Sequence, residues 1–194
     1  LPDSIKEIGS HAFDGCTGLE EIVLPDSLEI IGSYAFDGCS GMKTISIPNS
    51  VIKIERGAFS DCSALTELII PDSVEAIEDH FFKGCTSLRH IAVSDGNPKY
   101  DSREDCNAII STQEDCLVAG CGNSVIPEGV RSIGEKAFSS SAICSIRIPA
   151  SVTQIVRTAF LHCRLSSSIE VASGNPVYDS RGGCNAIIET ATAT

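Results

Sequence analysis

Apolar and polar positions along this chain follow one short pattern that keeps returning. Leu19, Ile22 and Leu24 form an L-x-x-L-x-L arrangement, repeated as Met42/Ile45/Ile47, Leu65/Leu68/Ile70, Leu88/Ile91/Val93 and Ile143/Ile146/Ile148. A last copy is imperfect: Leu165 lies one place early and Ser166 takes the apolar site, while Ile169 and Val171 keep theirs. Alternation at the end of the motif predicts a short strand with one buried face, stopped by the Pro and Asp/Asn/Ser residues that follow. After each Pro comes a second apolar pair: Ile5/Ile8, Leu28/Ile31, Val51/Ile54, Val74/Ile77, Val130/Ile133 and Val152/Ile155. Most of these are β-branched, which predicts another short extended piece. An Ala-Phe-x-x-Cys group, as in Ala12-Phe13-Asp14-Gly15-Cys16, then has the spacing of one helical or 3₁₀ turn pointing Phe and Cys inward.

The units are tandem repeats. Pro2, Pro25, Pro48 and Pro71 recur every 23 residues, as do Phe13, Phe36, Phe59 and Phe82. The register breaks at 94–126, resumes with Pro127 and Phe138, and returns 22 residues later with Pro149 and Phe160. A longer period of 78 residues relates Asn97 to Asn175, Tyr100 to Tyr178 and Cys106 to Cys184. The segment 94–126 is therefore an insertion that belongs to the pattern, and 172–194 is a truncated second copy of it. Within the first copy, Ser111-Thr112-Gln113-Glu114 predicts a hairpin turn between 107–110 and 116–119. The whole of 1–194 reads as a single solenoid segment of about six coils of 22–23 residues, stacked about 4.8 Å apart, and as part of a longer protein.

Composition narrows the chemistry. The 194 residues carry 14 Lys+Arg against 26 Asp+Glu, a formal charge of −12, which disfavours nucleic acid and anionic membrane surfaces as partners. No apolar run approaches the roughly 20 residues that span a bilayer, so no direct membrane insertion is expected. Six of the seven Phe fall on one internal spine: Phe13, Phe36, Phe59, Phe82, Phe138 and Phe160. Cys16, Cys39, Cys62, Cys85 and Cys163 share one point of the coil and read as buried reduced thiols, because parallel side chains in a ladder make poor disulfides. Ser141 takes the same place in another coil. A bridge between Cys106 and Cys121, across the ends of the hairpin, stays open.

Ligands in a straight line cannot converge on zinc, so no metal is expected. The four histidines, His11, His80, His90 and His162, read as lying at different points of the repeat and as solvated. There is no nucleophile elbow with a partnered base and no recurring carboxylate pair, so no catalytic residue and no cofactor is expected. Asp95-Gly96-Asn97 reads as an Asx-type turn rather than a calcium site.

Surface remains. Residues flanking the second apolar position of each L-x-x-L-x-L strand are expected to face outward on the concave side: Glu21/Val23, Thr44/Ser46, Glu67/Ile69, His90/Ala92, Ser145/Arg147 and Ser168/Glu170. The insertions supply a second candidate set, Tyr100 with Arg103 and Tyr178 with Arg181, since Tyr and Arg are interface-prone.

The copies LPDSLEIIGSYAFDGCSGMKTISIP (24–48) and IPNSVIKIERGAFSDCSALTELIIP (47–71), with the two GNPxYDSRxxCNAII segments at 96–110 and 174–188, resemble the BspA-like leucine-rich repeats of bacterial and some protozoan surface proteins. That resemblance implies an α/β-type leucine-rich-repeat solenoid with short parallel strands on its concave face. It also implies a noncatalytic, extracellular or cell-surface module that adheres to host matrix proteins, other extracellular proteins or glycoproteins, or microbial cells. The alternative is a structural spacer presenting another domain. Uncapped coils at the two ends are expected to associate end to end or to be disordered.

Overall fold

The structure, a computed structural model, describes residues 1–190, with the side chains of 165–167 excepted. In chain order its strands are β1 (Glu7–Ile8), β2 (Ile30–Ile31), β3 (Lys53–Ile54), β4 (Glu67–Ile70), β5 (Ala76–Ile77), β6 (His90–Val93), β7 (Tyr100–Asp101), β8 (Ala108–Ser111), β9 (Cys116–Gly120), β10 (Ser132–Ile133), β11 (Ala142–Ile148), β12 (Gln154–Ile155), β13 (Arg164–Val171), β14 (Tyr178–Asp179) and β15 (Ile188–Glu189). They stack as a β-solenoid of about 7 turns. The extra turn beyond six repeats comes from the hairpin, whose second strand takes a place in the stack: β9 pairs in parallel with β10, Leu117 opposite Ile133.

The pair after each Pro forms the longer sheets. Strands β1, β2, β3 and β5 make one parallel sheet, and β12, β10, β9, β8 and β7 a mixed one, parallel from β12 to β9 and antiparallel from β9 to β7. The L-x-x-L-x-L segments are less regular than the repeat predicts. They pair as β4 with β6 and as β11 with β13, but the first two coils exchange one backbone bond on this face, Lys43 N–H to Glu20 C=O at 3.2 Å. Between β11 and β13 the register shifts after Ile143/Leu165, resuming at Ser145/Ser168, which is a β-bulge. The expected loss of an apolar site at Leu165 and Ser166 concerns side chains outside the described residues.

Ala-Phe-x-x-Cys is a turn, not an α-helix, and the described residues contain only two short 3₁₀ helices, Arg103–Asp105 and Arg181–Gly183. The expected solenoid of stacked short parallel strands is borne out, with turns and few helices connecting its strands. The turn has a local cause: in the coils of Phe13, Phe36, Phe59, Phe82 and Phe138 the positions two before and two after the Phe adopt positive φ, as at Tyr34 (55°) and Gly38 (67°), and that interrupts any helix. Each coil hands hydrogen bonds to its neighbour through small polar side chains as well. Ser27, Ser50 and Ser73 hydroxyls donate to the carbonyls of Ile5, Leu28 and Val51 one coil back, at 2.6, 2.6 and 2.7 Å.

The insertion divides the core. Ala108, Ile110 and Leu117 belong to the C-terminal apolar cluster, while Ile109 and Ala119 belong to the N-terminal one. A hairpin covered on both faces explains why Ala108-Ile109-Ile110 is a continuous apolar run rather than an alternating one. It also keeps Cys106 and Cys121 apart: they face opposite clusters, and both are free thiols. The bridge left open by the sequence does not form.

The two ladders are also interrupted. Phe13, Phe36 and Phe59 stack at 5.2 and 5.5 Å, and Phe138 stacks on Phe160 at 5.2 Å, but Phe82 turns edge-on to Phe81 at 4.6 Å. Gly120 stands at the missing step, since its N–H bonds Ala137 C=O just as Phe36 N–H bonds Ala58 C=O. Cys39, Cys62 and Cys85 thiols donate to Phe13, Phe36 and Phe59 carbonyls at 3.1 Å. Ser141 does the same to Gly120 C=O at 3.3 Å, which shows the ladder position to be a hydrogen-bonded packing site. Cys16 is exposed rather than buried and Cys163 half-buried, because cover for this position comes from an adjacent coil.

Candidate binding surface

Parallel pairing of β4 with β6 sets Glu67 opposite His90 and Ile69 opposite Ala92. Alternation sends Leu68, Ile70, Ile91 and Val93 into the core and turns the other four outward. Glu21, Val23, Thr44, Ser46, Glu67, Ile69, His90, Ser145, Arg147, Ser168 and Glu170 are all exposed, and Ala92 is half-buried.

Polar side chains pair between successive coils of this face. Lys43 Nζ lies 2.7 Å from Glu20 Oε2, His90 Nδ1 2.8 Å from Glu67 Oε1, and Arg147 Nε 3.7 Å from Glu170 Oε1. The hydrogen bond from Lys43, and then its charge, lower the pKa of the Glu20 carboxyl. Such exposed pairs align neighbouring coils but contribute little stability each. Between them runs a row of one residue per coil, Val23, Ser46, Ile69 and Ala92, in which Val23 is 80% and Ile69 47% exposed.

A groove of about 330 Å³ opens in the middle of this face. Thr44, Ser46, Glu67 and Ile69 line it, joined by Asn49, Pro71 and Ser94. The last three were missed by the strand pattern; they follow the strands as turn formers, and only stacking brings one coil's turn beside the next coil's strand. Ser94 also borders a second groove of about 310 Å³, which Tyr100 and Arg103 line together with Asp95, Asp101 and Glu104. The structure thus joins the strand face to the first insertion. Tyr178 and Arg181 border neither groove.

The insertion residues also hold the fold. Asn97 Nδ2 donates to the carbonyls of Pro71 and Val74 at 2.7 and 2.9 Å, and its Oδ1 accepts from the N–H of Lys99 and Tyr100. Asn175 repeats this on Pro149 and Val152. Arg103 grips Asp101 through Nε and Nη2 at 2.9 and 2.7 Å and reaches Asp115 at 3.1 Å through Nη1. Those carboxylates raise its guanidinium pKa. Arg181 pairs with Asp179 in the same way, while remaining exposed. Tyr100 and Tyr178 are half-buried.

The histidines need correcting. His11 and His80 occupy the same place, two before the Phe of their coils, both with positive φ (59° and 61°). His80 is half-buried, with a buried Nδ1 that has no hydrogen-bond partner, and burial lowers its pKa.

The family model for the BspA type leucine-rich repeat region matches six copies, over residues 1–104 and 119–179. The chain belongs to this BspA-type family. The unmatched stretch within this BspA-type repeat protein, 105–118, is most of the hairpin that partitions its core. Among solved structures, a leucine-rich cell surface protein from Faecalibacterium prausnitzii A2-165 is similar, with a TM-score of 0.73 at 30% identity, covering 87% of this chain and 45% of that one. The pneumococcal vaccine antigen PcpA aligns with a TM-score of 0.72 at 24% identity, over 88% of this chain and 49% of its own. A leucine-rich repeat protein from Eubacterium ventriosum ATCC 27560 gives 0.56 at 18%, over 90% and 62%. The last two share the fold. The BspA-type chain spans less than half the length of the first two. Among curated proteins none matches its sequence.

Proposed function

We propose that this BspA-type segment is a noncatalytic protein-binding module of a bacterial cell-surface protein, engaging an extracellular protein or glycoprotein through its strand face and so serving adhesion. The carrying observation is the groove of Thr44, Ser46, Glu67 and Ile69, in which an exposed isoleucine sits among small polar side chains of stacked coils. Similarity to a cell surface protein from Faecalibacterium prausnitzii supports the location. Affinity would come from modest contacts repeated along a longer array.

Pairing of Glu20 with Lys43 and Glu67 with His90 favours the rival reading, a spacer whose polar surface groups are used between its own coils. Biolayer interferometry against immobilised matrix glycoproteins separates the two. The adhesion reading expects binding that weakens at least about tenfold in Ile69→Glu. Absence of binding at roughly tens of micromolar, with binding retained elsewhere in the full-length protein, overturns it in favour of the spacer.

A further inference from the structure

Turns of neighbouring coils are laced by a regular set of backbone bonds. The N–H groups of His11, Phe13 and Gly15 donate to Ser33, Ala35 and Asp37 carbonyls at 2.9, 2.7 and 2.7 Å. Tyr34, Phe36 and Gly38 repeat this on Arg56, Ala58 and Ser60, and Gly57, Phe59 and Asp61 on Asp79, Phe81 and Lys83. In the next coil the lacing stops. Among the described residues, the N–H groups of His80, Phe82 and Gly84 have no such carbonyl, because the hairpin coil runs straight through Cys116–Gly120 without an Ala-Phe-x-x-Cys turn. On the far side, Ala137 C=O is taken by Gly120 N–H, but the equivalent carbonyls of Glu135 and Ser139 receive no donor.

A missing turn leaves a cleft. Its walls are the turns 77–83 and 134–139, its floor is Cys116, Val118 and Ala119, and its volume is about 170 Å³. The two walls face each other across that floor. Phe81 and Phe82, 3% and 8% exposed, give it an apolar end, and the unpartnered Nδ1 of His80 lies on one wall.

We infer that this cleft binds a short peptide segment of a partner protein in place of the missing turn. Peptide carbonyls accept from His80 and Phe82 N–H, peptide N–H groups donate to Glu135 and Ser139 carbonyls, and one apolar side chain rests on the Phe81–Phe82 pair. Donors on one wall and acceptors on the other select a polypeptide; a simple carboxylate satisfies only the first. Turns of a folded second copy already have these groups paired, so the occupant is a different chain with an unpaired segment. The cleft is separate from the strand face, and its failure leaves the adhesion reading untouched.

The probe is an acetylated, amidated peptide copying residues 31–40 with Cys39→Ser, titrated into the isotope-labelled segment and followed by backbone amide NMR. Saturable shifts of the His80, Phe82 and Gly84 amides at about 1 mM or below, with slowed hydrogen exchange there, are expected. Methylating alternate peptide nitrogens should abolish them, and so should Val118→Trp, which fills the floor. No shift at these amides overturns the proposal. So do equal shifts with sodium acetate, or undiminished binding of the methylated peptide, a control that needs no folded variant.

Discussion

The hydroxyl of Tyr100 accepts a hydrogen bond from the backbone N–H of Ile77 at 3.2 Å, and Tyr178 does the same for Ile155 at 2.9 Å. Ile77 lies on β5, the last strand of its sheet, where no further coil strand pairs with it. The tyrosine supplies the acceptor that the interrupted stack lacks. Tyr100→Phe therefore keeps the ring and strands the donor, and should lose about 1–3 kcal/mol of stability. Urea denaturation and hydrogen exchange at Ile77 check this; unchanged stability with unchanged exchange contradicts it.

Asn97 is 8% exposed and uses both ends of its amide, donating to Pro71 and Val74 carbonyls and accepting from Lys99 and Tyr100. Aspartate offers no donor to the two carbonyls and brings a charge. Asn97→Asp should cost about 3 kcal/mol or more, more than Asn97→Ser, since leaving buried groups unmatched is worse than losing a bond. Equal thermal midpoints for the two variants count against this role.

A Cβ on Gly120 would collide with Cε1 of Phe138. The residue holds a Phe position in the bonding pattern but has no room for any side chain. Gly120→Ala should destabilise by about 1–3 kcal/mol through overpacking. Adding Phe138→Leu should recover part of the loss, a coupling visible in a double-mutant cycle.

Cys39 is fully buried, and desolvation first, then the neighbouring Cys62, push its thiol from 9.0 up to about 12. Burial pushes Cys106 to about 11. A raised folded-state value means that the folded chain holds these protons more tightly. The contribution is complete below 9.0 and is lost as pH climbs through about 11 and 12. Stability should fall over that window, less steeply in Cys39→Ser, which lacks the titration. At neutral pH, maleimide should label the exposed Cys16, Cys144 and Cys184 long before Cys39 or Cys62. Early labelling of Cys39 is the contrary result.

Much of the solenoid was legible because its chemistry is periodic. A Phe every 23 residues announces a spine, and an L-x-x-L-x-L unit announces which side chains leave the sheet: Thr44, Ser46, Glu67 and Ile69 turn out to line one groove. Asn49 and Ser94 were not legible as members of that groove, because membership depends on which turn stacks beside which strand. Nor was the repeat position shared by His11 and His80, although it was present in the numbering, because a histidine taken as a solvent-facing side chain says nothing of the positive φ its backbone adopts.

The linear order of residues determined the coil, its period and the polarity of its faces, since these follow from side-chain alternation and turn chemistry within a few residues. Only the tertiary structure decided what happens at the insertion. There the hairpin enters between two cores, Cys106 and Cys121 end on opposite sides of it, Gly120 replaces a ring, and the donors of His80 and Phe82 lose their partners. The physical reason is that a hydrogen bond or a packed ring needs a neighbour from another coil, and an interruption changes the neighbour without changing the local pattern.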